Sequence, residues 1–153
     1  MTVEITAQVR RATLADSDEI ARFNVAMALE TEGKVLDGAT VRAGVVALMN
    51  QPQYGFYVVA QEGEALAGCL LITYEWSDWR NGLIWWIQSV YVRPESRRRG
   101  WFKRLYAQVR QWAEAESACG LRLYVEAANQ TAQTTYLALG MKPAGYQVFE
   151  ALF

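Results

Sequence analysis

The chain has 153 residues, 52% hydrophobic and 20% charged, with a formal net charge of −1 and no histidine. This size and apolar fraction fit a single domain, residues 1–153, with a core large enough to fold alone, and exclude a disordered tail. The balanced charge argues against a general nucleic-acid coat, which needs a broad basic surface, and the missing histidine excludes Ser-His and Cys-His pairs and most zinc sites.

Along the chain, Ile5 to Val9 alternates as a first strand. Thr13-Leu14-Ala15-Asp16 has the form of a capping box with Asp in place of Glu. Beyond it Ile20, Phe23 and Met27 share one face of a helix that should end before Gly33. A second helix is expected from about Ala39 to Met49, with Val41, Val45 and Leu48 as its apolar stripe and Pro52 beyond its end. Tyr54 to Ala60 reads as a strand, Gln61-Glu62-Gly63-Glu64 as a hairpin turn and Ala65 to Trp76 as a longer strand. Ser77 to Gly82 is a polar turn, and Leu83 to Val92 the next strand, ended by Pro94. A helix from about Arg99 to Ser117 should bury Phe102, Leu105, Val109 and Trp112, with Gly120 as its C-cap. Leu121 to Ala127 is a further strand, Asn129 to Leu139 a helix capped by Gly140, and Tyr146 to Phe153 a last strand.

The order β-α-α-β-β-β-α-β-α-β predicts a mixed α/β (α+β) fold. Several neighbouring strands should be hairpin-connected, while the strands at Leu83 and Leu121, joined by a helical crossover, should be parallel. Ligands of such sheets sit at the carboxyl ends of parallel strands, and one such end leads into Arg97-Arg98-Arg99-Gly100-Trp101-Phe102. Three arginines at a helix N-terminus oppose the helix dipole by up to ~1 kcal/mol each, and a bound polyphosphate would reverse that sign. The plainer reading is a solvated basic turn. Cys69 and Cys119 lie beside apolar residues and read as small buried thiols in a reducing compartment. Met1 to Arg11 lacks a signal-peptide core, and no run reaches the roughly 18 apolar residues of a membrane span. A cytoplasmic protein without membrane contact is expected.

Two segments together resemble one family. Arg97-Arg98-Arg99-Gly100-Trp101-Phe102 resembles the Gln/Arg-x-x-Gly-x-Gly/Ala coenzyme A loop of GNAT-type N-acetyltransferases. Asn129-Gln130-Thr131-Ala132-Gln133-Thr134-Thr135-Tyr136-Leu137-Ala138-Leu139-Gly140-Met141 resembles that family's Asn-x-x-Ala-x-x-x-Tyr-x-x-x-Gly-Phe segment. The element order agrees over nearly the whole chain. One position departs: Phe102 stands where the family usually has Gly or Ala. The phosphate contact needs only its N–H, and its ring can turn inward with the apolar stripe.

The resemblance implies a central mixed sheet with splayed parallel strands, helices on both faces, and acetyl-CoA as acetyl donor without a metal. The pyrophosphate would meet N–H groups from Arg98 to Lys103, with Arg97, Arg98, Arg99, Gly100, Trp101, Phe102 and Lys103 forming the cofactor loop. The pantetheine arm would pair with main chain of Val90, Tyr91 and Val92, and Asn129 would cap its helix or touch the cofactor. An amine would attack the thioester directly, a backbone N–H near Val90 would stabilise the developing oxyanion, and Tyr136 would act as general acid on the departing thiolate. Full transfer from a phenol of pKa about 10 to a thiolate of pKa about 8.5 is uphill by ~2 kcal/mol, so a strengthening hydrogen bond describes its role better. Carboxylates are the candidate bases: Glu126 first, then Glu75, Glu30 and Glu32. Glu30, Glu32 and Glu75, with nearby Asp37, Trp76 and Trp79, also suit a small cationic amine acceptor, against the alternative that the indoles fill core and cover an edge. Trp85 and Trp86 should point to opposite faces. A homodimer is common for such folds, by analogy alone. Two other readings compete: a non-catalytic acyl-CoA-binding domain, and nucleic-acid binding through Arg97 to Arg104 with Trp101 stacking, which the overall charge disfavours.

Overall fold

The structure, a computed structural model, describes residues 6–153. Its strands are β1 (Ala7–Arg11), β2 (Gly55–Glu62), β3 (Ala65–Ser77), β4 (Gly82–Val92) and β5 (Gly120–Leu123). The helices are α1 (Ser17–Glu32), α2 (Gly38–Met49), α3 (Trp101–Ala115) and α4 (Gln130–Ala138), with 3-10 turns at Leu14–Asp16 and Pro94–Ser96. The chain up to Leu123 forms one compact unit and Tyr124–Phe153 a second.

In the first unit the strands lie in the order β1-β2-β3-β4-β5. The β1–β2, β2–β3 and β3–β4 pairings are antiparallel and β4–β5 is parallel, as the α3 crossover requires. Both faces of the sheet are covered. Tyr57, Val59, Cys69 and Tyr91 pack with Ile20, Phe23 and Val45 of α1 and α2. Phe56, next to Tyr57 and so on the other face, meets Trp85 edge-on at 5.4 Å and Trp112 of α3 at 6.2 Å. Trp85 is 2% exposed while Trp86 is half-buried, the split that strand alternation demands.

Local chemistry sets the element ends. The Thr13 N–H donates to Asp16 Oδ2 at 2.7 Å, closing the expected box ahead of α1. Gly33, at φ 63, ends that helix, with Gly33 and Lys34 N–H groups reaching Leu29 O and Ala28 O. Asp37 caps α2 by accepting from Thr40 N–H at 3.0 Å. The Asp16 carboxyl is pushed up by burial, but hydrogen bonds from Arg10 and Thr13 outweigh this and hold it below the ordinary carboxylate range.

Four expectations are corrected. The first strand begins at Ala7, and Ile5 lies outside the described residues. On α3 the buried side chains are Trp101, Leu105, Tyr106, Val109 and Ala113; Phe102 and Trp112 are half-buried. The helix starts at Trp101 rather than about Arg99, because Arg98 and Gly100 adopt left-handed backbone, and Trp101 shares the buried face of Leu105 and Val109. Strand β5 stops at Leu123, and residues 146–153 form no strand; Phe149 there is 91% exposed. Alternation gives a segment the capacity to pair, but a strand exists only where a neighbour's ladder receives it. Cys69 is buried and its thiol is pushed up to about 12, whereas Cys119 is exposed. Apolar sequence neighbours do not bury a residue that sits in the turn before β5. Among the described residues no helix is long and apolar enough to cross a membrane.

Candidate active site

The site is built around a defect in β4. Cys69 pairs with Tyr91 and Leu71 with Gln88, so Ser89 and Val90 together face the single residue Leu70. This is a β-bulge, and Ser89 takes a left-handed φ of 51 to make it. Gly68 permits it: a Cβ there would lie 2.3 Å from the Tyr91 carbonyl oxygen. Pairing with β5 covers only Ile84 to Ile87. From Gln88 to Val92, β4 pairs with β3 alone among the described residues, which leaves its other backbone edge for a ligand.

The loop from Arg97 to Lys103 follows this edge. Arg98 (φ 64) and Gly100 (φ 78) are left-handed on either side of Arg99, and left-handed turns are a recurrent feature of backbone concavities that bind anions through N–H groups. α3 then starts with no side-chain cap at Gly100 and no acidic residue in its first turn. The first α3 bond closes from Arg104 N–H to Gly100 O at 3.1 Å. An anion is the natural partner for such an end.

The basic side chains divide by task. Arg97 binds both oxygens of Glu30, at 2.6 and 2.9 Å, and its Nε donates to Val92 O at 2.8 Å. Arg99 lies 3.3 Å from Glu62, whose other oxygen is 3.7 Å from Arg93. Arg104 stacks over the Trp101 ring at 4.5 Å. Arg98 and Lys103 form no ion pair among the described residues and are the cations left for a ligand. Trp101 is 5% exposed, so its ring is not available to stack on a base. The Phe102 ring lies 6.3 Å from Tyr106, along its own helix.

The carboxylates expected near the acceptor are distributed differently. Glu30 sits in the last turn of α1 rather than in the following loop, and Glu32 lies 3.4 Å from Lys34 on the surface. Glu75 accepts from Arg122 at 2.6 Å. Register and alternation place Glu75, Thr73, Trp86, Gln88 and Arg122 together on the sheet face that also carries Cys69 and faces α1 and α2. Gln88 Nε2 donates to Thr73 Oγ1 at 2.5 Å across that face. Gln88 and Thr73 were not singled out from sequence; the signal was two polar residues at the same alternation phase on adjacent strands.

Within the second unit, Asn129 caps α4, its Oδ1 accepting from Ala132 N–H at 3.0 Å. Gly140 (φ 90) closes α4, with Gly140 N–H to Leu137 O and Met141 N–H to Tyr136 O, both 3.0 Å. Tyr136 is half-buried, and burial raises its phenol above the ordinary value, so it stays a neutral donor. Glu126 is exposed; its backbone carbonyl accepts from Asn129 N–H at 2.9 Å and from Gln133 Nε2 at 3.2 Å, and its carboxylate makes no ion pair among the described residues. No cluster of metal-ligating side chains occurs among the described residues.

The chain is 33% identical over 63 residues to aminoglycoside N(6')-acetyltransferase type 1 of Serratia marcescens; the match covers 41% of this chain and 43% of that protein. Its fold matches a possible acetyltransferase from Clostridium difficile 630 with a TM-score of 0.90 and 41% identity, over 98% of this chain and 99% of that one. An aminoglycoside N-acetyltransferase solved in complex with CoA shares the fold at a TM-score of 0.79 and 16% identity, over 99% and 98% of the two chains. Residues 25–141 match the Acetyltransferase (GNAT) family, so the chain belongs to this family of acetyl-CoA-dependent N-acetyltransferases.

Proposed function

We propose that this protein transfers the acetyl group of acetyl-CoA to a primary amine of a small molecule by direct attack. The observation that carries the reading is the loop from Arg97 to Lys103: left-handed turns at Arg98 and Gly100, an uncapped α3 and two uncommitted cations, all directly after the bulged end of β4. These features fit a pyrophosphate, because they supply N–H donors and positive charge. When bound, acetyl-CoA supplies an activated thioester.

The chain's own residues then divide the work. Main chain of Val90, Tyr91 and Val92 orients the donor along the backbone edge of β4, and an N–H at the bulge stabilises the oxygen that gains charge. Tyr136, by its place in the Asn-x-x-Ala-x-x-x-Tyr segment, donates its phenolic proton in a hydrogen bond to the departing sulfur. Glu126 accepts the proton that the amine gives up. Glu75 is committed to Arg122, so it shapes the acceptor surface with Trp86, Gln88 and Thr73 rather than serving as base. A small-molecule acceptor is supported by the named specificity of the Serratia relative, which is an aminoglycoside acetyltransferase. The test is release of free CoA thiol across a panel of aminoglycosides, polyamines, arylamines and peptide N-termini. Turnover with small amines is expected. Turnover restricted to peptides would contradict the acceptor class, and CoA binding without turnover on any amine would favour a non-catalytic acyl-CoA-binding domain.

A further inference from the structure

We infer that Glu30 is a positioning residue for the cofactor loop, acting through Arg97, and not a ligand of the acceptor amine. The inference rests on the acetyl-CoA reading above. Arg97 opens the loop, and its guanidinium ties the loop to both α1 and the end of β4. Its two terminal nitrogens hold the two Glu30 oxygens at the end of α1. Its Nε holds the carbonyl of Val92 at the end of β4. Its charged centre lies 5.5 Å from the centre of the Tyr91 ring, which itself packs 5.1 Å from Phe23 of α1.

Two-point binding of this kind fixes the orientation of the fork as well as its position. The residue that follows, Arg98, holds a left-handed backbone that a non-glycine residue keeps only under constraint from its surroundings. Arg97 supplies that constraint at the adjacent position. Both Glu30 oxygens already accept from Arg97, so a cationic acceptor would meet a carboxylate whose charge is largely neutralised.

Charge alone makes the opposite prediction, which gives the inference a sharp test. Removing a carboxylate beside an anion-binding loop should tighten binding of CoA if only net charge matters. If Glu30 positions the loop, its removal should weaken binding. The experiment measures CoA affinity by calorimetry and the KM of each substrate for the wild type, Glu30→Gln, Arg97→Lys and the Glu30→Gln/Arg97→Lys double variant, with thermal unfolding as the check on folding. The expected result is a CoA dissociation constant and acetyl-CoA KM raised about three- to tenfold in each single variant, in keeping with a half-exposed pair. The acceptor KM should stay at its wild-type value, and the double variant should be no worse than the weaker single one. A raised acceptor KM with unchanged acetyl-CoA KM would overturn the inference in favour of a direct acceptor ligand. Tighter or unchanged CoA binding in Glu30→Gln would also overturn it. A wild type that does not bind CoA would instead overturn the acetyl-CoA reading itself.

Discussion

Arg98 combines strain and function in one residue. Its φ of 64 costs a side-chain-bearing residue about 1 kcal/mol, and its cation forms no ion pair among the described residues. Arg98→Gly should therefore stabilise the fold by up to ~1 kcal/mol in chemical denaturation while weakening CoA binding and flattening its salt dependence. A variant that is both less stable and unaltered in CoA affinity would contradict this division. Tyr136→Phe should stay folded by circular dichroism and lose about tenfold or more in kcat, since it removes the phenolic donor. At this scale the sequence was partly legible. The glycine of the loop and the Asn129 cap follow from residue type and spacing. The burial of Trp101 was legible in the same way, since it stands four residues before Leu105 and eight before Val109 on one helical face.

Among the elements, β4 matters most, since one strand supplies the bulge, the backbone edge and the entry to the loop. The bulge leaves only a faint sequence trace, Ser89 at a positive φ and Gly68 across the ladder. Gly68→Ala would drive a Cβ against the Tyr91 carbonyl oxygen, a backbone atom that cannot swing aside as a side chain does. A loss of about 1–3 kcal/mol of stability is expected, with a weaker CoA titration because Val90 to Val92 must shift. Apart from the end of β5, which comes at Leu123 rather than Ala127, the element boundaries of the first unit were readable to within about two residues because turn residues punctuate them. Residues 146–153 were misjudged as a strand for the opposite reason: pairing depends on a neighbour that local alternation does not reveal.

For the molecule as a whole, acid stability follows from its carboxylates. Asp16 and Glu30 are both held below their ordinary range, Asp16 against the pull of burial and Glu30 chiefly by the hydrogen bond from Arg97. Groups of this kind stabilise the fold above their unfolded pKa of about 4, and the contribution disappears as pH falls through the lower folded values. With no histidine in the chain, the unfolding midpoint should be flat between about pH 5 and 8 and fall below about pH 4. Arg10→Gln should lower stability at neutral pH by about 1–3 kcal/mol and make the acid limb shallower, because Asp16 then loses the partner that depresses it.

The grip of main-chain amides at the start of α3 on a pyrophosphate is tested most directly by following backbone amide resonances during two titrations, one with CoA and one with pantetheine. CoA should shift the amides of residues 98–103 and of Val90 to Val92, whereas pantetheine, which lacks the pyrophosphate, should shift only the latter group. Saturable CoA binding that leaves the amides of residues 98–103 unmoved would contradict the account.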